Sequence, residues 1–194
     1  MHRIIETISK REKPVIIGIS GFGGSGKSTL ARKLALEINA PIIAVDSFYR
    51  SNDLVEYQLW DIFDFNRLEK EVIIPYSLGN STLLYKKFDW EKGRGLLETT
   101  IVTDDYLIIE GVGLFRPQLS KYFSFSIWID CPIDVAIERG KRRDREEYGL
   151  EQDEKWDGIW RKNDLQYLRR FKPKEKADFI IHNGPHIRPG GKTN

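Results

Sequence analysis

Eight residues near the start of the chain have the spacing of a phosphate-binding loop. The stretch GFGGSGKS, from Gly21 to Ser28, matches the pattern G-x-x-x-x-G-K-[ST]. Glycines let backbone N–H groups point at phosphate oxygens, Lys27 adds positive charge for the terminal phosphates, and the Ser28 hydroxyl suits Mg²⁺. We therefore predict that a nucleoside triphosphate is bound by Gly21, Gly23, Gly24, Ser25, Gly26, Lys27, Ser28 and Thr29.

A second group of reactive side chains follows the apolar run PIIAV. Asp46 comes directly after this run and has the chemistry of a general base, because a carboxylate can accept the proton of an attacking hydroxyl group. An aspartate here is also suited to capping the following turn, so both roles stay open. Phe48 and Tyr49 lie beside it, and their rings are suited either to stacking on an acceptor molecule or to packing in the core.

A third candidate, Glu110, ends the run YLIIE. An acidic residue at a strand end near a phosphate loop commonly holds Mg²⁺, directly or through water. Ser28 and Glu110 are therefore the predicted metal ligands. Asp104 and Asp105 precede the same run at its opposite end, where contact with solvent is favoured.

Three arginines share one face of a predicted helix in the stretch ERGKRRDREEYG. Arg142 and Arg143 follow Arg139 at three- and four-residue offsets. Guanidinium groups that close over a transferring phosphoryl group stabilise its charge, so we predict a catalytic lid at about 139–150. A solvated helix face is the alternative, since Glu138 and Arg142 have the i,i+4 spacing of a surface ion pair.

The elements that position these residues follow from apolar runs and turn signals. Five short, β-branched runs have the composition of buried parallel strands: VIIGIS, PIIAV, YLIIEG, FSIWID and ADFIIH. Helical patterns or longer connections separate them, and a helix over KSTLARKLALEI continues the glycine loop. The alternation predicts an α/β fold with a mostly parallel sheet flanked by helices. A strand before the loop and a helix after it argue against an ordinary glycine-rich turn.

One stretch interrupts this alternation. Two β-prone runs on either side of Lys92 to Gly95 predict an inserted β-hairpin at about 81–102. Such an insertion is suited to cover a site as a flap, and a plain surface excursion is the alternative. Tyr85, Phe88 and Trp90 give it aromatic area for a substrate or for packing. On a regular strand Phe88 and Trp90 point to one side and Tyr85 to the other.

The composition is typical of a folded intracellular protein. The chain has 194 residues, 40% of them hydrophobic and 31% charged, with a formal net charge of +2. These values predict a single domain, with an N-terminal helix at 1–13 and a flexible polar tail at 184–194. The near-neutral charge predicts no nucleic-acid or membrane partner. The single cysteine excludes an internal disulfide, and the sequence shows no signal peptide, so we expect a cytoplasmic location.

Other classes of protein lack their motifs in this sequence. His2, His182, His186 and Cys131 do not have the spacing of a metal site, and no nucleophile elbow of a serine hydrolase occurs. A GTPase would need a guanine-reading N-K-x-D segment, which is absent. A nucleic-acid motor would need a larger domain or a strongly basic surface. A non-catalytic nucleotide-binding protein stays open, although it would not need Asp46.

Together these motifs resemble the uridine kinase family of P-loop nucleoside kinases, over about residues 14–183. GFGGSGKST is similar to the ATP loop of that family, and LIIEG is similar to the strand with its acidic Mg²⁺ partner. DSFYR resembles the segment with the catalytic aspartate and a tyrosine that touches the acceptor, which implies these roles for Asp46 and Tyr49. The resemblance also implies ATP and Mg²⁺ as cofactors, a five-stranded P-loop NTPase fold and a hairpin over the acceptor.

The acceptor-side motifs depart from that family. Uridine kinases carry a histidine that helps to read the pyrimidine, five residues after the hairpin tyrosine, and Trp90 has that place relative to Tyr85. Tyr148, Gly149 and Leu150 replace the family's arginine-glycine-arginine lid motif. The resemblance implies phosphate transfer to a primary hydroxyl of a uridine- or cytidine-like nucleoside, with Tyr85 and Trp90 among the substrate-binding residues. The alternative acceptor is a non-nucleoside alcohol, as in phosphoribulokinase or pantothenate kinase.

Overall fold

A computed structural model describes residues 1–50 and 56–185. Within these ranges the strands are β1 Val15–Gly21, β2 Ile42–Ala44, β3 Thr82–Phe88, β4 Leu96–Val102, β5 Tyr106–Glu110, β6 Phe125–Asp130 and β7 Phe179–His182. The α-helices are α1 His2–Ser9, α2 Lys27–Ile38, α3 Phe65–Leu68, α4 Ile74–Ser77, α5 Pro117–Ser120, α6 Ile133–Tyr148, α7 Asp153–Lys155, α8 Arg161–Phe171 and α9 Pro173–Lys176. A 3₁₀ turn spans Val45–Phe48, and π-helical turns span Glu69–Ile73 and Trp156–Trp160. The predicted tail lies outside the described residues from residue 186 onward.

Five strands form a parallel sheet in the order β2-β5-β1-β6-β7. The register places Ile17 of β1 opposite Ile108 of β5 and Phe125 of β6. This confirms the predicted parallel α/β sheet. Because all five strands run in one direction, their carboxyl ends share one edge of the sheet, where parallel sheets bind ligands. Gly21 and Glu110 end two neighbouring strands at this edge.

The two faces of the sheet are covered separately. On one face, Val15, Ile17 and Ile19 of β1 are buried in a cluster with Ile8 of α1 and Leu34 of α2. The intervening side chains point the other way, as the twofold repeat of a strand requires. Burying an aliphatic side chain of this size stabilises the fold by about 1.5–3 kcal/mol. This packing therefore holds β1 and α2, and with them the phosphate loop that joins the two.

The opposite face of the sheet packs against helices from two later parts of the chain. Ile16, Leu107 and Trp128 belong to a cluster that also contains Leu68 of α3 and Tyr167 of α8. All five side chains are at most 2% exposed. Through this core the sheet fixes the helical segment at 65–77 and helix α8 in place.

The predicted hairpin is present as the antiparallel pair β3 and β4, with Tyr85 opposite Thr99. It is attached to the helical segment beneath it by charged groups as well as by apolar packing. Arg67 donates to the Glu71 carboxylate at 2.8 and 3.0 Å and also to the backbone oxygen of Lys86. The Glu71 carboxylate in turn accepts a 3.1 Å hydrogen bond from the backbone N–H of Lys86. The hairpin is thus held along β3, at Lys86, by a defined network.

Helix length bears on membrane association. Among residues 1–50 and 56–185, no helix combines the length and the apolar composition that a membrane span requires.

Candidate active site

The predicted phosphate loop joins β1 to α2, so its backbone lies at the N-terminus of a 12-residue helix. That end of a helix attracts anions, because free N–H groups and the helix dipole both favour negative charge. Gly24 has φ of +76°, and a Cβ at this position would clash with the carbonyl oxygen of Ala136 in α6. Lys27 donates a 2.9 Å hydrogen bond to the carbonyl oxygen of Phe22, which holds its ammonium group over the loop.

Two further groups in the loop bear on ligand binding. The Ser25 hydroxyl is buried and has no hydrogen-bond partner among the residues described. The backbone oxygen of Ser25 accepts a 2.8 Å hydrogen bond from the Asn183 amide, which lies just after β7. A residue that follows the edge strand β7 therefore holds the loop backbone in place. The Ser25 hydroxyl has no partner among the described protein atoms.

The two predicted metal ligands are in contact. The Ser28 hydroxyl donates a 3.0 Å hydrogen bond to Oε1 of Glu110. Glu110 is only 7% exposed. Burial raises the pKa of Glu110, the Lys27 ammonium opposes that rise, and the carboxylate of Asp46 adds to it. A hydroxyl and a carboxylate oxygen side by side fit Mg²⁺, which prefers hard oxygen ligands and completes its shell with water and phosphate. Their role as metal ligands stays a prediction.

Asp46 lies in the 3₁₀ turn that follows β2. The N-cap position of this turn is Ala44, so Asp46 is not its N-cap residue. Although its side chain reaches solvent, desolvation by surrounding protein atoms raises the pKa of Asp46, and the positive charges of Lys27 and Arg143 oppose that rise. The carboxylate therefore lies within electrostatic range of both cationic groups that are expected to contact phosphate.

All three predicted lid arginines lie on α6, a continuous 16-residue helix. They line a cleft of about 700 Å³ together with Gly24, Gly26, Lys27, Ser28 and Thr29 of the loop. Arg139 donates a 2.8 Å hydrogen bond to the backbone oxygen of Asn183, and Arg143 donates to Oδ1 of Asp144 at 2.7 Å. The surface pair expected for Glu138 and Arg142 is replaced by one between Glu138 and Lys141, at 3.4 Å. The fold thus brings the basic face and the loop to one cleft.

The basic helix is supported by residues that the sequence analysis missed. Trp156 donates its indole N–H to Oδ2 of Asp144 at 2.7 Å, on the side of the carboxylate opposite to Arg143. The Trp156 ring lies against Gly140, where an added Cβ would clash with it. Asp144 is only 3% exposed, which is unusual for an acidic residue in so highly charged a helix. No local pattern distinguishes it from the exposed acidic residues on either side.

The predicted acceptor-side residues lie at the join between the hairpin and the segment after β2. Tyr49 contacts both Phe88 and Trp90, each with ring centroids 5.0 Å apart. Tyr85 stacks on Phe48 at 5.6 Å and is buried in the core. Trp90 lies beyond the end of β3 and is 57% exposed, which leaves its ring free of the core.

This arrangement differs from the strict alternation expected along the hairpin. Tyr85 and Phe88 are both buried, although they are an odd number of residues apart. They pack against neighbouring residues, Phe48 and Tyr49, of one segment. Packing against the domain therefore overrides the simple two-sided pattern of an isolated strand. The roles of Tyr49, Tyr85 and Trp90 in substrate binding stay predictions.

Two adjacent residues of α8 form another contact network that sequence reasoning missed. Asp164 accepts a 2.9 Å hydrogen bond from the backbone N–H of Gly23 through Oδ2 and another from the Trp60 indole through Oδ1, also at 2.9 Å. Asn163 accepts a 2.8 Å hydrogen bond from the backbone N–H of Trp60. Both side chains are buried, and burial raises the pKa of Asp164 to about 7. In the sequence they read as ordinary polar residues of a charged helix.

Comparison with known proteins places this chain and its fold in a defined class. Residues 16–188 match the Phosphoribulokinase / Uridine kinase family. The chain is 30% identical over 182 residues to a uridine kinase of Borrelia duttonii, covering 88% of this chain and 87% of that protein. It is also 30% identical over 206 residues to a uridine kinase of Lactobacillus helveticus, covering 91% of this chain and 90% of the relative.

Solved structures show the same fold. A possible uridine kinase from Bacillus stearothermophilus superposes with a TM-score of 0.72 at 19% identity, covering 93% of this chain and 96% of the other. A putative fructose transport system kinase from Silicibacter sp. TM1040 gives a TM-score of 0.67 at 22% identity, with the same coverage of both chains. The fold and the loop thus define a P-loop protein of the kinase type, as the sequence predicted. The chain belongs to the phosphoribulokinase and uridine kinase family.

Proposed function

We propose that this protein transfers the terminal phosphoryl group of ATP, with Mg²⁺, to a primary hydroxyl of a uridine- or cytidine-like nucleoside. The observation that carries the phosphotransferase part is the 3.0 Å contact between Ser28 and Glu110. It joins the phosphate loop to an acidic residue at the same sheet edge, within reach of the charges of Lys27 and Asp46. Uridine kinases among the 30% identical relatives support the nucleoside part.

Each candidate residue has a role that follows from its chemistry. The loop N–H groups and Lys27 bind and orient the phosphates, while Ser28 and Glu110 hold Mg²⁺, which neutralises phosphate charge when bound. Asp46 accepts the proton of the acceptor hydroxyl, and its raised pKa makes it a better base than a free aspartate. Arg143, oriented by Asp144, faces the same cleft and stabilises the negative charge that spreads over the transferring group.

A second acceptor class is favoured by one observation. Trp90 has the place of the family's pyrimidine-reading histidine, and its ring is exposed beside Tyr49 at 5.0 Å. An indole at this position offers stacking area but only one hydrogen-bond donor, so it reads a pyrimidine less specifically than histidine does. This supports a non-nucleoside alcohol, or a nucleoside with a different base, as the second candidate acceptor.

The test is a screen for acceptor-dependent release of ADP. Purified protein with Mg²⁺ and ATP is assayed against nucleosides, pentose derivatives and pantothenate, with the Asp46→Asn variant as the matched inactive control. We expect a pyrimidine nucleoside to stimulate the release of ADP strongly and to be recovered in phosphorylated form. Stimulation by a non-nucleoside alcohol alone would replace the nucleoside by the second candidate class. Release of ADP that no acceptor stimulates would contradict the kinase proposal.

A further inference from the structure

The carboxylate of Asp164 bridges two parts of the site that are far apart in the sequence. Its two oxygens accept separate hydrogen bonds, one from Gly23 in the phosphate loop and one from Trp60 in the segment after residue 55. Asp164 is 3% exposed and Trp60 is 5% exposed, so both bonds are shielded from water. Breaking either bond would leave a buried polar group without a partner, which is unfavourable.

The segment that contains Trp60 is connected directly to the acceptor side. Phe63 pairs with Tyr49 in an antiparallel bridge, and the backbone N–H of Arg50 donates to the oxygen of Ile62 at 3.0 Å. The Trp60 ring stacks on Phe63, with centroids 6.1 Å apart. A chain of contacts therefore runs from Tyr49 through Phe63 and Trp60 to Asp164.

Trp60 is held in a backbone conformation that it would not adopt alone. Leu59 and Trp60 have φ of +52° and +62°, in the left-handed region that bulky side chains rarely occupy. Such a conformation persists only where the surroundings impose it. Here Asn163 accepts from the Trp60 backbone at 2.8 Å, and Arg116 donates to the backbone oxygen of Leu59 at 2.6 Å. Asp164 and its neighbour thus help to hold this segment in place.

We propose that Asp164 is a positioning residue that couples the acceptor side of the site to the phosphate loop. The inference rests on the proposed kinase function. It adds that the affinity for nucleotide depends on the conformation of the segment around Trp60, and the reverse. The carboxylate is oriented by Trp60 on one oxygen and orients the Gly23 amide with the other. Because coupling free energies are reciprocal, ordering of the acceptor side then favours the loop geometry that binds phosphate.

The bridge can be cut without removing its atoms. Asp164→Asn keeps the shape of the side chain but turns one acceptor oxygen into an N–H donor, so Gly23 and Trp60 cannot both remain bonded. Trp60→Phe keeps an aromatic ring and removes the donor together with part of the buried ring volume, and that loss of volume is the same in both Asp164 backgrounds. Asp61→Asn is the matched control, since Asp61 tethers the same segment to Arg116, at 3.0 Å, without contacting Asp164.

The test is a double-mutant cycle on the affinity for Mg²⁺·ADP, measured by calorimetry on the full chain. We expect Trp60→Phe to weaken binding by roughly threefold or more in the wild-type background and by less than about 1.5-fold beside Asp164→Asn. Asp61→Asn is expected to change the affinity by the same factor in both backgrounds. Equal effects of Trp60→Phe in the two backgrounds, in variants with wild-type circular dichroism, would overturn the proposal.

A second measurement covers the case in which Asp164→Asn does not fold. In the wild-type chain, the indole N–H resonance of Trp60, assigned by its loss in Trp60→Phe, should shift when Mg²⁺·ADP is added. An unchanged resonance under saturating nucleotide would overturn the coupling. Neither measurement needs turnover, so a chain with intact coupling but no acceptor-dependent ADP release contradicts only the proposed function. An active enzyme without coupling contradicts only this inference.

Discussion

The hydroxyl of Ser28 donates a 3.0 Å hydrogen bond to Oε1 of Glu110, which joins the first turn of α2 to the carboxyl end of β5. These residues are 82 positions apart in the chain. The contact places a hydroxyl and a buried carboxylate at one point beside the phosphate loop. It is the basis for the first prediction.

Glu110→Gln should raise the Mg²⁺ concentration needed for half-maximal activity by roughly 10- to 100-fold, the range seen when groups that support a metal are removed. The variant keeps an oxygen for Ser28 but loses the charge that attracts the cation. The measurement is a Mg²⁺ titration at saturating ATP. Glu37→Gln, an exposed change on α2, serves as the control. Identical titrations for both variants would exclude Glu110 from the metal site.

Lys27→Ala should lower turnover by roughly 10²-fold or more, because the ammonium group supplies preorganised charge at the phosphates. Lys27 is only 8% exposed and is already held by the carbonyl oxygen of Phe22. Steady-state ADP release is the assay, with Lys10→Ala, an exposed change just after α1, as the control. Near-normal turnover of Lys27→Ala would mean that the ATP site lies elsewhere.

Asp46→Asn should reduce kcat by roughly 10²- to 10⁴-fold, the usual range for a positioned general base. Binding of ATP should stay nearly unchanged, because Asp46 accepts a proton from the acceptor and does not hold the nucleotide. Kinetics and nucleotide calorimetry separate the two effects. Asp104→Asn, at the opposite end of the sheet, should be silent. An equal loss of ATP affinity would identify Asp46 as a metal or nucleotide ligand instead.

The three arginines of α6 should differ in their effects. Arg143→Ala should lower kcat most, by about tenfold or more, because Arg143 lies near Asp46 and is oriented by Asp144. Arg139→Ala should mainly raise the KM for ATP, since Arg139 is tied to the backbone after β7. Asp144→Asn should reproduce part of the Arg143→Ala defect. If all three alanine variants behave like the wild type, this face is only a solvated surface.

Stability should depend on pH through Asp164. Burial raises the pKa of Asp164 to about 7 from its ordinary value of 3.8, and the positive charge of Lys27 opposes this rise. The side chains of Tyr57 and Tyr167 also interact electrostatically with Asp164. Between these two values the folded chain keeps the proton and the unfolded chain has released it. The free energy of unfolding contributed by Asp164 therefore falls as pH rises from about 4 to about 7.

Urea unfolding of wild type and Asp164→Asn at about pH 5 and about pH 8 checks this sign. The advantage of the wild type over the variant should be larger at the lower pH. Asp46 and Glu110 also have raised pKa values, so they too make the free energy of unfolding fall as pH rises. This contribution is the same in the wild type and in Asp164→Asn. A stability difference that does not change with pH would contradict the prediction.

The sequence alone was sufficient for the parts of the site that local patterns encode. The phosphate loop is contiguous, and its strand and helix follow from apolar runs of the right length, so β1, the loop and α2 were predicted together. Glu110 could be placed beside Ser28 because each residue lies at the end of its predicted element. Parallel strands bring such ends to one edge of a sheet whatever the detailed packing is.

Only the tertiary structure decided which polar residues are buried and what they join. Asp164 is 141 residues from Gly23 and 104 from Trp60, and nothing in its neighbourhood along the chain distinguishes it from exposed acidic residues. Tyr85 likewise lies in the core because the hairpin packs on Phe48. Its position in β3 alone predicted only that it points to the side of the strand opposite to Phe88. Spacing along a chain encodes the period of one element, whereas these contacts depend on how separate elements pack against one another.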